Sequence, residues 1–257
     1  IYPNTYNLMA TTIFTPSMLK GAGTRGVPEI PVDSSFTNTY SFNFDGVDEN
    51  IKVADASDGP LYDIGTGDFT VSIWAADDDS TSGYRQMLFN WSTNGLQVLR
   101  WNSGYFATYI GDSTHHISSY NIPKDGSWHH YFVTRNSGAC NMYVDGTSVI
   151  TQFTETGTMA TGVTSHIGSR NNLANAWKGN IDEVAIWLSD QTSNLSTIYN
   201  SGIPGDLSSL SPINWWRMGD AASWDGTDWT LTDQGSGGHN IVSDNMEEAD
   251  RKSDVPS

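Results

Sequence analysis

Phe69-Thr70-Val71-Ser72-Ile73-Trp74 alternates large apolar side chains with small hydroxyl-bearing ones, the period of a half-buried strand. The same period recurs on either side of it. Tyr40, Phe42 and Phe44 alternate with Ser41 and Asn43 before Asp45-Gly46 turns the chain, and Ile51 and Val53 mark a second short strand. Another alternating run goes from Leu96 to Trp101. Tyr131-Phe132-Val133 and Met142-Tyr143-Val144 flank an Asn136-Ser137-Gly138 turn. Asp145-Gly146 then closes the next hairpin, because a tight two-residue turn needs residues that tolerate positive φ. Short strands at this spacing, with turn chemistry between them, predict an antiparallel sandwich. Trp74, Trp128 and Trp187 lie inside such runs and are expected to fill the space between two sheets.

One segment has the other period. Leu195, Ile198 and Tyr199 sit at i, i+3 and i+4, with Ser193 as N-cap and Gly202 at C′, which predicts one short helix near residues 193–200 packed on the rim of a sheet. Residues 1–38 show no period and carry Pro3, Pro16, Pro28 and Pro31, so they read as an extended N-terminal arm. The strand pattern occupies residues 39–220. Pro204 and Pro212 lead into Ile213-Asn214-Trp215-Trp216-Arg217-Met218, a returning strand. Residues 221–257 read as a polar C-terminal extension packing on the domain, with Asp233–Gly238 as a loop.

Composition narrows the class. Of 257 residues only 16% are charged and 12% are aromatic, which excludes a helical bundle or coiled coil. A single core at this length buries roughly 70–75% of the unfolded chain's surface, enough to fold without covalent staples. Cys140 is alone, so neither an internal disulfide nor a Cys-based zinc site is available. Lys and Arg total 12 against 29 Asp and Glu, a formal charge of −17. That balance argues against nucleic acid, whose phosphates demand clustered positive charge, and against anionic lipid. It suits solubility in salty surroundings. No apolar run reaches the ~18 residues of a membrane span, and the first residues lack the basic-then-apolar pattern of a signal peptide.

Phe44-Asp45-Gly46, Gly67-Asp68-Phe69-Thr70-Val71-Ser72-Ile73-Trp74, Trp128-His129-His130-Tyr131-Phe132-Val133-Thr134, Tyr143-Val144-Asp145-Gly146 and Gly179-Asn180-Ile181-Asp182-Glu183-Val184-Ala185-Ile186-Trp187 occur in this order. Together they resemble the laminin-G-like, concanavalin A-like jelly-roll domains, a superfamily that includes the pentraxins. Ile198-Tyr199-Asn200-Ser201-Gly202 followed by Asn214-Trp215-Trp216-Arg217 looks like the pentraxin-type finish of that fold. The resemblance covers about residues 40–220 and implies an all-β, two-sheet antiparallel jelly-roll sandwich with one short helix. It implies less about function, since this fold hosts lectins, adhesion modules, hydrolases and lyases. The tail from Asn214 to Ser257 is similar to jelly-roll structural proteins of marine tailed phages. That similarity implies a virion fibre, spike or decoration, with other virion subunits or a homo-oligomer as partners and an extracellular or virion-surface location.

Hydrolysis of a glycosidic bond needs two carboxylates facing one cleft. Asp182-Glu183 is the tight acidic pair on a convincing strand, and strict alternation would send its two side chains to opposite faces. Asp77-Asp78-Asp79 stands beside Ser80 and Gly83 and reads as a solvated loop. The few basic residues form no strand cluster suited to a uronate lyase. The chain is therefore read as a non-catalytic lectin-like module, the alternative being a secreted polysaccharide-cleaving enzyme of the same fold. His115-His116 and His129-His130 cannot chelate one ion through both rings, because adjacent strand residues diverge.

Pentraxins hold calcium through acidic and amide side chains of two loops. The resemblance places those loops around Asn94 and at Ser169-Arg170-Asn171-Asn172 with Asn175. Where that pattern carries carboxylates this chain has Arg170 and amides, so no cofactor is required and any calcium is expected to be weakly held. Sugar recognition uses aromatic platforms beside hydrogen-bonding groups. Trp91, Trp101, Tyr105 and Trp177 stand near Asn94, Asn102, Asn172 and Asn175, with Trp177 expected at the rim. The expected ligand-binding set is Asn94, Arg170, Asn171, Asn172, Asn175 and Trp177, for a glycan or cell-surface polysaccharide.

Overall fold

The computed structural model describes residues 36–53, 64–81, 83–90, 95–111, 114–159, 164–170 and 173–257. The arm expected over residues 1–38 lies outside them except for its last three residues. The first strands are β1 (Ser41–Asp45), β2 (Asn50–Val53), β3 (Phe69–Asp77), β4 (Arg85–Asn90), β5 (Leu96–Arg100) and β6 (Tyr105–Ile110). Next come β7 (His115–Asn121), β8 (Trp128–Asn136), β9 (Ala139–Val144), β10 (Thr147–Ser148), β11 (Phe153–Thr154), β12 (Ser165–Ile167) and β13 (Lys178–Trp187). A helix, α1 (Leu195–Tyr199), interrupts the series before β14 (Asn214–Trp216), β15 (Ala222–Trp224), β16 (Trp229–Leu231), β17 (Ile241–Asp244) and β18 (Arg251–Lys252).

These strands make two sheets. The first runs β10-β9-β8-β3-β13-β1-β18, with β11 also on β9 and β14 on β13. The second runs β15-β16-β17-β2-β12-β4-β5-β6-β7. All these ladders are antiparallel. The fold is the two-sheet jelly-roll sandwich expected from the alternating runs.

Alternation decides what lies between the sheets. Phe69, Val71, Ile73 and Ala75 of β3 share one apolar core with Val98 and Phe106 of the second sheet. Val133 and Met142 join it from β8 and β9, and Trp216 and Trp229 complete it. Each such side chain contributes roughly 1.5–3 kcal/mol by leaving water. The same parity corrects the placement of three tryptophans. Trp74 is on the outer face of the first sheet, stacked 5.9 Å from Tyr199 of the helix. Trp187 belongs to a second cluster beneath that helix, with Phe132, Ala185, Leu195, Ile198, Leu207 and Trp215. Trp128 is half-buried, its indole N–H donating to Asp254 Oδ1 at 3.3 Å. None of the three lies between the sheets, because the inward residues are the odd-numbered ones on β3 and β8 and, at the end of β13, Val184 and Ile186.

The helix is shorter than expected and packs on the face of the first sheet rather than its rim. Asn194, not Ser193, occupies its N-cap, without a side-chain bond, and Asn200 in the left-handed region ends it two residues before Gly202. The C-terminal stretch is also corrected. Residues 222–252 do not lie on a finished domain but supply β15–β18, of which β17 pairs with β2 in one sheet and β18 with β1 in the other.

Candidate functional site

The loop between β12 and β13 is the described part of the expected site. Gly168 opens it with φ +89, where an added Cβ would come within 2.3 Å of the Phe44 ring. Its backbone closes on itself: Trp177 N–H donates to Gly168 O, Arg170 N–H to Ala174 O, and Leu173 N–H to Arg170 O. Asn175 has φ 58 and its carbonyl accepts Gln86 N–H of β4 at 2.9 Å. Arg170 and Asn175 are thereby brought together, both half-buried. Asn94, Asn171 and Asn172, with Trp91, lie outside the described residues. Trp177 is not at the rim. Its ring is 0% exposed within the inter-sheet core, since Trp177, Gly179 and Ile181 share the inward parity leading into β13.

An aromatic cluster occupies the outer face of the second sheet. The Trp101 ring lies 4.6 Å from Tyr84, edge-on, and 4.4 Å from His115. Tyr109 is 5.2 Å from His115, to which the β6–β7 register pairs it. Gln97 stands opposite Tyr109 on β5, and its side-chain oxygen accepts from Gln86 Nε2 at 3.2 Å. Tyr84, Trp101 and His115 are half-buried, with exposed Asn102 and Ser103 beside them. An apolar ring surface rimmed by amides and hydroxyls matches the two faces of a pyranose, one of C–H groups and one of hydroxyls. Trp101 was among the sequence candidates. Tyr84, Tyr109 and His115 were not, because only strand register brings them to it.

The acidic pair differs from expectation in a way that matters. Ile181 and Val184 both enter the inter-sheet core, leaving two residues between them where alternation allows one. A β-bulge absorbs the extra residue: the β13–β3 register shifts between Asp182 and Ala185, and Glu183 takes φ 45. Both carboxylates therefore turn to the same outer face. Asp182 sits opposite Trp74 and accepts from Asn38 Nδ2 at 2.8 Å. Glu183 accepts from Trp215 Nε1 at 2.5 Å and Arg217 Nε at 3.0 Å. Burial, then the neighbouring Glu183 charge, pushes Asp182 well up, and burial raises Glu183 to about 7 against the pull of Arg217. At 0% and 2% exposure, neither carboxylate reaches a cleft that could hold a sugar ring.

The histidine doublets diverge. His115 joins the aromatic cluster while His116 pairs with Glu155 Oε1 at 2.6 Å. His129 bonds Asp145, and His130 meets Ser72 Oγ at 2.7 Å in the interior. Among the described residues no three His, Cys, Asp or Glu side chains converge as metal ligands. In the loop matched to the pentraxin calcium site, Arg170 offers only donors and Asn175 one neutral oxygen, so its described residues do not fit a double calcium site.

The fold, the helix on one sheet and the open face of the other define a lectin-type sandwich. Residues 45–193 match the concanavalin A-like lectin/glucanases superfamily, and the chain belongs to it. No curated protein matches the sequence. Among solved structures, a Bacteroides ovatus "putative carbohydrate binding protein" is similar at 14% identity and TM-score 0.63, over 86% of this chain and 62% of its own. The chain thus spans less than two thirds of that protein's length. A heptameric SAP-like pentraxin from Limulus polyphemus has 12% identity and TM-score 0.49, over 63% of this chain and 82% of its own. Domain 4 of the arabinanase AbnA from Geobacillus stearothermophilus, in complex with arabinotriose, has 18% identity and TM-score 0.44, over 58% and 72%. No described helix is long and apolar enough to cross a membrane.

Proposed function

We propose that the protein is a non-catalytic glycan-binding module whose ligand lies on the Trp101 face of the second sheet. The observation that carries this reading is the half-exposed Tyr84, Trp101 and His115, packed on buried Tyr109 and flanked by a polar rim. Arg170 and Asn175, on a loop whose backbone bonds Gln86 of β4 in the same sheet, are the residues we carry over to this reading from the expected set. The setting we infer is extracellular or on a virion surface, a reading that rests on the resemblance stated for the Asn214–Ser257 tail and on the formal charge of −17, with a glycan or cell-surface polysaccharide as partner. Calcium plays little part, because the matched loop has lost its carboxylates.

A glycan array run with and without chelator tests this. Trp101→Ala is expected to weaken binding at least ~10-fold, equivalent to about 1.4 kcal/mol, without changing the fold. Chelator is expected to leave binding within twofold. Unchanged binding in Trp101→Ala moves the site elsewhere, and complete loss in chelator restores a calcium-dependent lectin.

A further inference from the structure

We propose that the outer face of the first sheet carries a second saccharide site, a groove over β8 and β9 that takes a neutral glycan. It lies on the other sheet from the Trp101 face and stands independently of it. Ala139, Asn141 and Tyr143 share one face of β9, opposite Asn136, Thr134 and Phe132 of β8. Asp190 and Thr192, between β13 and α1, and Gln152, just before β11, complete the lining of a groove of about 550 Å³. That volume falls within the roughly 300–1,000 Å³ of small-molecule sites. Ala139 keeps the floor low between larger neighbours.

The chemistry of the lining selects the ligand. Neither the Asn141 nor the Gln152 amide bonds another described side chain, so each offers two donors and an acceptor to whatever enters. Tyr143 adds a ring held edge-on by Phe132 at 5.8 Å. Asp190 organises the wall: Oδ1 accepts from Thr134 Oγ1 at 2.7 Å and from Thr192 N–H and Oγ1, and Oδ2 accepts from Asn136 Nδ2 at 2.8 Å. Its oxygens are engaged within the protein, so the wall is set before a ligand arrives. No described Lys, Arg or His lines the groove. A sialic acid, uronate or sulfated sugar would bring its charge beside Asp190 with nothing to offset it, whereas neutral hydroxyls meet amides, hydroxyls and one ring.

The test is a two-dimensional amide NMR titration of the full chain carrying Trp101→Ala, which separates this groove from the first surface. Probes are xylohexaose, cellohexaose and mannohexaose at millimolar concentration, and hexagalacturonate as the anionic counterpart. At least one neutral hexaose is expected to shift the amides of residues 134–143 and 190–192, and hexagalacturonate to leave them unmoved. Asn141→Ala with Gln152→Ala is expected to weaken that binding at least ~10-fold. Neither side chain bonds another described side chain, so the variant should melt with the parent. Should the double variant fail to fold, Gln152→Ala alone serves. The proposal is overturned if no neutral probe shifts these amides, if the substitutions leave the titration unchanged, or if hexagalacturonate binds the groove equally well.

Discussion

Trp177 and Trp101 show how one residue type takes two roles in this chain. Trp177 is enclosed by the inter-sheet core, and its indole N–H has no hydrogen-bond partner among the described residues. Its contribution is therefore packing. Trp177→Ala is expected to cost about 3–5 kcal/mol, while Trp177→Phe, which keeps a ring and loses only an unused donor, is expected to cost clearly less. Chemical denaturation of the two variants checks this, and equal losses would mean that the indole makes a bond after all. Trp101, half-exposed among Tyr84 and His115, is the ring whose removal is expected to change recognition. In the sequence both stand beside asparagines, and that context does not separate them. Parity does, since Trp177 is in phase with the inward Ile181.

At the scale of the element, β13 carries the most consequence. Its bulge turns Asp182 and Glu183 to one face, where they meet Asn38, Trp215 and Arg217. Glu183 has an unfolded value near 4.5 and a folded value of about 7. The stability tied to its protonated form is fully present below about 4.5 and is lost as pH rises toward 7. His130 works in the opposite direction: burial pushes it down to about 3 from 6.5, so its contribution is present above about 6.5 and lost as pH falls. A difference measurement isolates the acid. The stability of Glu183→Gln minus that of the parent is expected to rise from pH 4.5 to 7.5, read from urea midpoints at each pH. A flat or falling difference would show that Arg217 and Trp215 hold Glu183 ionised throughout. The strands themselves were largely legible, since alternation at 41–44, 69–74 and 131–144 and the Asp145-Gly146 turn each need only local chemistry. The bulge was not. Nothing local in Ile181-Asp182-Glu183-Val184 says that two consecutive residues face outward, because the shift is forced by both Ile181 and Val184 reaching the core. The aromatic face was half legible for the same reason: Trp101 stands out alone, but Tyr84 and His115 reach it only through pairing.

Across the whole molecule, the last strands are as much part of the sandwich as the first. β17 pairs with β2 over four residues and β18 with β1 over two, so the C-terminal stretch extends both sheets. Trp229, Leu231, Ile241 and Met246 enter the inter-sheet core, and Phe42 of β1 meets the Trp229 ring edge-on at 5.2 Å. Asp233 accepts Trp215 N–H and Asn214 Nδ2, fastening the tail to β14. Arg251 lies 3.7 Å over the Tyr40 ring. Its polar composition hid this integration, because a few apolar residues in short strands suffice to close a core whose other walls are already built. Those four buried side chains alone represent roughly 6–12 kcal/mol, comparable to the entire ~5–15 kcal/mol stability of a typical protein. A chain ending at Asp220 is therefore expected to lose cooperative thermal unfolding and to aggregate, rather than to melt a few degrees lower. Calorimetry of the two lengths decides it. A truncated protein with a sharp transition within about 5 °C of the parent would mean that β1–β14 close a complete core and that the tail only lies against it.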